Sequence, residues 1–134
     1  MKTVGRNLAR VAATFGLLSV ALTSVRGDIK DYEFQLVQTE VKKGDGAIVA
    51  VRLINKKTGK PVPDAVIFAK RIDMAPDGMA SMAEKIDQMP AQEPGVYRFR
   101  TNLTMAGRWQ LSLGAKVQGE TDSLESKLIL KATQ

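Results

Sequence analysis

The chain is 134 residues long, enough for one domain, and it contains neither Cys nor His. That excludes disulfides, thiolate nucleophiles, imidazole general bases, serine–histidine triads and the usual zinc sites. The formal net charge is +6, but four of the 20 basic residues fall in the first 27 positions with no acidic residue, leaving 16 against 14, or +2; so balanced a remainder, with its charges interspersed, argues against nucleic acid.

The chain opens with Lys2, Arg6 and Arg10, followed by an apolar run over residues 11–25 and a small residue, Gly27, after Arg26. This is the layout of a secretory signal. Residues 1–27 are therefore expected to be a cleaved signal and residues 28–134 one periplasmic domain. The apolar run is shorter than the roughly 20 residues that comfortably span a bilayer. No stable membrane span is expected after cleavage, the alternative being an uncleaved anchor.

Residues 31–43 read as a strand whose alternation slips near Val37. Lys42-Lys43-Gly44-Asp45-Gly46 reads as a turn, and residues 47–55 as a second strand with Val49, Val51 and Leu53 on one face. Together they predict a hairpin. Residues 55–64, with two prolines and a glycine, connect strands or sheets. Residues 65–73 predict a strand with Val66, Phe68 and Ile72 on one face. Over residues 74–94 the period disappears, predicting a long loop with a helical turn near Ser81 to Asp87. Residues 95–100 alternate Val96, Arg98 and Arg100 against Tyr97 and Phe99. A turn follows, then residues 108–117 with Trp109, Leu111, Leu113 and Ala115 inward, and residues 124–132 with Leu128 and Leu130 opposite Ile129. Trp109 is the first candidate for the centre of the core. No strand is followed by a long amphipathic helix. The fold class is therefore all-β, an immunoglobulin-like antiparallel β-sandwich of about 6–8 strands with one long Met-rich loop.

Met74, Met79, Met82 and Met89 fall in that aperiodic segment, and Met105 in the turn before Trp109. Thioether sulfur is a neutral, soft ligand that prefers Cu(I) over Zn²⁺, Mg²⁺ or Ca²⁺, and it survives where Cys would be oxidised. The candidate metal ligands are Met74, Met79, Met82 and Met105, with Cu(I) as the ion and the Trp109 ring as a possible cover. Two other readings stay open, since Met is an adaptable packing residue and also makes contact surfaces for partners. Asp73, Asp77, Glu84 and Asp87 surround the segment but do not match a calcium-loop spacing. Arg98 and Arg100 read as solvated residues of an outer face. Nothing in the chain arranges a nucleophile or an acid–base pair, so no enzyme and no catalytic residues are expected.

Four blocks carry a resemblance: Thr58-Gly59-Lys60-Pro61-Val62, Met74-Ala75-Pro76-Asp77-Gly78-Met79, Pro94-Gly95-Val96-Tyr97-Arg98-Phe99, and Met105-Ala106-Gly107-Arg108-Trp109 running on to Leu113. In this order they resemble the YtkA-like, FixH-related family. The resemblance implies an exported immunoglobulin-like sandwich. It also implies non-catalytic binding or transfer of copper or a related soft metal beside an efflux or oxidase-assembly system. The implied partner is a periplasmic adaptor or membrane transporter; the alternative is an adaptor-binding module with no metal role. Met74, Met79 and Met105 match Met positions of the pattern, Gly78, Gly107 and Trp109 its structural positions. The chain lacks the His that some relatives carry near the loop, and it has no second hydrophobic segment like that of FixH.

Overall fold

The computed structural model describes residues 28–134, so the expected signal at residues 1–27 lies outside the described residues. Nine strands form two sheets. They are β1 (Tyr32–Leu36), β2 (Glu40–Lys42), β3 (Gly44–Asn55), β4 (Val66–Met74), β5 (Met79–Glu84), β6 (Ile86–Met89), β7 (Val96–Leu103), β8 (Gly107–Lys116) and β9 (Ser123–Thr133). One sheet has the order β1-β3-β7-β6 and the other β2-β9-β8-β4-β5. The first corresponds to the ABED sheet of immunoglobulin domains; β9-β8-β4 corresponds to GFC, extended on its two sides by β2 and β5. All pairings are antiparallel except β2 with β9. The expected immunoglobulin-like sandwich is the fold. Among the described residues no helix is long and apolar enough to cross a membrane.

The inward faces follow the alternation read from the sequence. Val49, Val51 and Leu53 on β3, Phe99 on β7, and Trp109, Leu111, Leu113 and Ala115 on β8 are all buried. Trp109 is the largest fully buried side chain, as expected. Its indole N–H donates to the Met105 carbonyl at 3.0 Å, so its one polar atom is satisfied at the margin of the core. Phe34 and Tyr97 meet edge to face, with ring centroids 6.2 Å apart. Ile129 on β9 faces out, opposite Leu128 and Leu130.

Three expectations need correction. β1 does pair with β3, but not through a simple hairpin, because β2 intervenes and pairs with β9 in the other sheet. The phase slip near Val37 is where the strand changes sheets, with Val37 N–H bonded to Ala50 and the Thr39 carbonyl to Lys131. Next, Val66, Phe68 and Ile72 do not share a buried face. A bulge between Ile67 and Ala69 resets the alternation, leaving Val66 and Phe68 exposed and Ile72 buried.

The third correction concerns the aperiodic segment. Residues 74–94 are not one long loop and have no helical turn at Ser81 to Asp87. They hold a 3-10 turn at Ala75–Asp77, then β5 and β6 separated only by Lys85. β5 lies on the edge of one sheet and β6 on the edge of the other. The sequence shows no period of two because this short stretch crosses between sheets, and because a register shift lies between Asp73 and Met74 where β4 meets β5.

Candidate functional site

The Met-bearing end of the sandwich is assembled from the last residues of β4, the 3-10 turn, β5, and the turn from β7 into β8. Gly78 closes the 3-10 turn in the left-handed region, φ 76°, which suits a residue without Cβ. β5 then returns beside β4 so that Met79 is the direct register partner of Met74. The register jumps there from Asp73–Ala83 to Met74–Met79, so that Ala80, Ser81 and Met82 bulge out of β5 between the two pairs.

The two family-like Met blocks are clamped to each other. The Asp77 carboxylate accepts the Arg108 backbone N–H at 2.8 Å and its Nε–H at 2.8 Å, while the other guanidinium arm donates to the Pro76 carbonyl at 2.8 Å. The backbone hydrogen bond, then the guanidinium, holds the Asp77 carboxyl below the usual carboxylate range. Gly107 makes this approach possible. A Cβ there would stand 2.7 Å from an Asp77 carboxylate oxygen and 2.7 Å from the Met74 Cε. Its φ of +142° also disfavours other residues. A second clamp sits one turn away. Asp73 is buried, accepts from Arg71 Nε at 2.8 Å and from the Ala75 N–H at 2.9 Å, and Arg71 reaches on to the Ala80 carbonyl at 3.0 Å.

The four candidate ligands sit at different depths. Met74 is 0% exposed and belongs to the core. Met79 and Met82 are half-buried and pack against that core from β5. Met105 is 40% exposed in the neighbouring turn. Met89, half-buried on β6, lies in the other sheet. The Trp109 ring is fully buried, so it is a core residue and offers no face to a solvated cation. Among the described residues no three His, Cys, Asp or Glu side chains gather as metal ligands. Asp73 and Asp77 serve arginines instead. Sequence reading missed the roles of Arg71 and Arg108, and it had Gly107 as a structural position without the close approach that requires it. The only signal was that Asp77, Gly107 and Arg108 lie inside the Met blocks.

At the opposite end, Tyr97 ties down the connection between β3 and β4. Its hydroxyl donates to the Val62 carbonyl at 2.7 Å and accepts the Ala65 N–H at 3.0 Å. Burial pushes its phenol above the ordinary value.

Fold and site together define a small two-sheet immunoglobulin-like domain with a clamped, thioether-bearing end. The chain belongs to the YtkA-like family, whose model matches residues 27–114. No curated protein matches the sequence significantly. Among solved structures the chain is similar to a ZirS C-terminal domain, at 13% identity and a TM-score of 0.47 over 83% of this chain and 71% of that one.

Proposed function

We propose that this is an exported, periplasmic, non-catalytic domain that binds Cu(I) or a related soft cation and passes it to a partner. That partner would be a periplasmic adaptor or membrane transporter of a metal-efflux or oxidase-assembly system. The supporting observation is the direct pairing of Met74 with Met79. Facing positions on two neighbouring strands are close enough for two flexible thioether side chains to reach one ion. The Met74 Cε points at Gly107, toward the turn that carries Met105. In this reading Met74 and Met79 are inner ligands, and Met82 and Met105 close the site from the accessible side. Neutral thioethers release no proton on binding, so affinity would vary little with pH across the neutral range. The residues present fit a soft monovalent ion and offer little to a hard or divalent one.

The test is anaerobic titration with Cu(I) against a chromophoric competitor, with copper-edge absorption to identify sulfur ligation. Changing Met74, Met79, Met82 and Met105 together to Leu keeps volume and apolarity and should keep the fold. Binding is expected to disappear in that variant while the circular dichroism spectrum stays that of a β-sandwich. Undiminished Cu(I) affinity in the quadruple Leu chain would refute these four thioethers as the ligands, and a parent chain that binds no Cu(I) would leave the adaptor-binding alternative.

A further inference from the structure

The outer faces of the two sheets differ in character. On the five-stranded sheet Val66 and Phe68 of β4 are 61% and 55% exposed, and Ile129 of β9 is 53% exposed. The bulge between Ile67 and Ala69 puts Phe68 out of the alternation, and the tip of its ring rests against Gly114. A Cβ at Gly114 would stand 3.0 Å from the Phe68 Cζ. Beside it runs a shallow groove of about 260 Å³, crossing two register rows: Arg71–Ser112–Lys127 and Ala69–Gly114–Glu125. Lys116, opposite Val66, and Lys131, opposite Arg108, extend the same face. None of the three ion pairs among the described residues includes Lys116, Lys127 or Lys131. Lys42 of β2 adds a further positive charge, and against these lysines stand Glu125 and Glu40, the register partner of Lys131, since Asp73 is bound to Arg71.

We infer that this face docks an extended polypeptide segment of a partner protein, one that alternates apolar and acidic side chains. Apolar residues would cover Phe68 and the Gly114 floor, and carboxylates would meet Lys127 and Lys116. Charge selects this occupant. A second copy of the chain would set one lysine-rich face against another, which is repulsive. A bilayer is disfavoured by shape, because the tip of the Phe68 ring is folded back against Gly114 instead of projecting as a wedge. An exposed apolar patch with a charged rim is the usual make-up of a protein contact. The inference is independent of copper binding, since no methionine takes part.

The test uses the purified mature domain in metal-free, chelator-containing buffer, with backbone amide shifts followed by NMR. Two short synthetic peptides are compared, one alternating Leu and Phe with Glu, the other with Lys replacing Glu. The acidic peptide should shift the amides of Ala69, Ser112, Gly114 and Lys127, and the basic one should not. Phe68→Ser and Lys127→Glu should each weaken binding about tenfold, the size expected for an anchor residue. Both sites are exposed, and well-dispersed spectra would verify the fold. Equal binding of the two peptides, or shifts confined to the four-stranded sheet, would overturn the proposal. So would self-association through the same amides, or binding to phosphatidylglycerol vesicles in place of the peptide.

Discussion

The two ends of this sandwich solve one mechanical problem with different chemistry. At each end a connection rich in turn residues must be held against the strands. At the Met end an exposed ion pair, Asp77 with Arg108, clamps the 3-10 turn to the start of β8. At the other end a buried neutral hydroxyl, that of Tyr97, holds the β3–β4 connection through one donated and one accepted hydrogen bond. A charged clamp in high dielectric is weak and sensitive to salt and acid. A buried hydrogen-bonded hydroxyl is costly to remove, because its backbone partners are left unsatisfied. The 3-10 turn at the Met end is therefore the more weakly fastened of the two connections, lying above a fixed layer made of buried Met74 and the Asp73–Arg71 pair.

The largest expected effect tests whether that looseness stops at the surface. Met74 is fully buried beneath the clamp, so Met74→Ala should cost about 2–5 kcal/mol, the usual range for emptying such a site. Met105→Ala in the exposed turn should change stability by no more than about 0.5 kcal/mol. Urea unfolding of the two variants checks this. If they prove equally mild, Met74 is not part of the core and the end is loose throughout.

Tyr97→Phe comes next. It keeps the ring and its contact with Phe34 but strands the Val62 carbonyl and the Ala65 N–H, and should cost about 1–3 kcal/mol. A variant as stable as the parent would mean that water replaces the hydroxyl and that the far end is not closed. Burial raises the phenol's pKa, so this end also gains stability below the ordinary value of 10.0 and loses it as pH climbs through the folded value.

How much of this could be read from the chain depends on where each residue sits. The inward residues of β3, β7 and β8 were legible because long antiparallel strands with one wet face must alternate. Trp109 was legible as the core centre for the same reason. Phe68 was not, because one extra residue in β4 reverses every side chain beyond it and leaves no mark on hydrophobicity. β5 and β6 were illegible because each is short and they serve different sheets, so no single face repeats. The Met blocks could be seen as neighbours of interest. Their clamping could not, because the Asp77–Arg108 pair spans 31 positions of sequence. Met74 and Met105 differ in depth because Met74 continues the inward face of Ile72 at the end of β4, while Met105 lies in the turn between β7 and β8.

The smallest effect is the most direct probe of the clamp. Hydrogen bonds from Arg108 hold the Asp77 carboxyl below its ordinary value of 3.8, so the folded state favours the ionised form. The resulting stabilisation is fully present above that ordinary value and is lost as pH falls through the lower, folded one. Asp77→Asn removes the charge at every pH. The thermal midpoint of the variant should therefore lie slightly below the parent's at neutral pH, and the gap should close on acidification below 3.8. High salt should narrow the gap in the same direction, since the pair is exposed. Amide exchange followed by NMR should place the loosening at Ala75, Gly78 and Arg108, and leave Ala65 and Val62 at the Tyr97 end unchanged. A gap that persists undiminished in acid would mean that the Asp77 carbonyl-side geometry, and not its charge, fastens the Met end, and the contrast between the two ends would then be one of position alone.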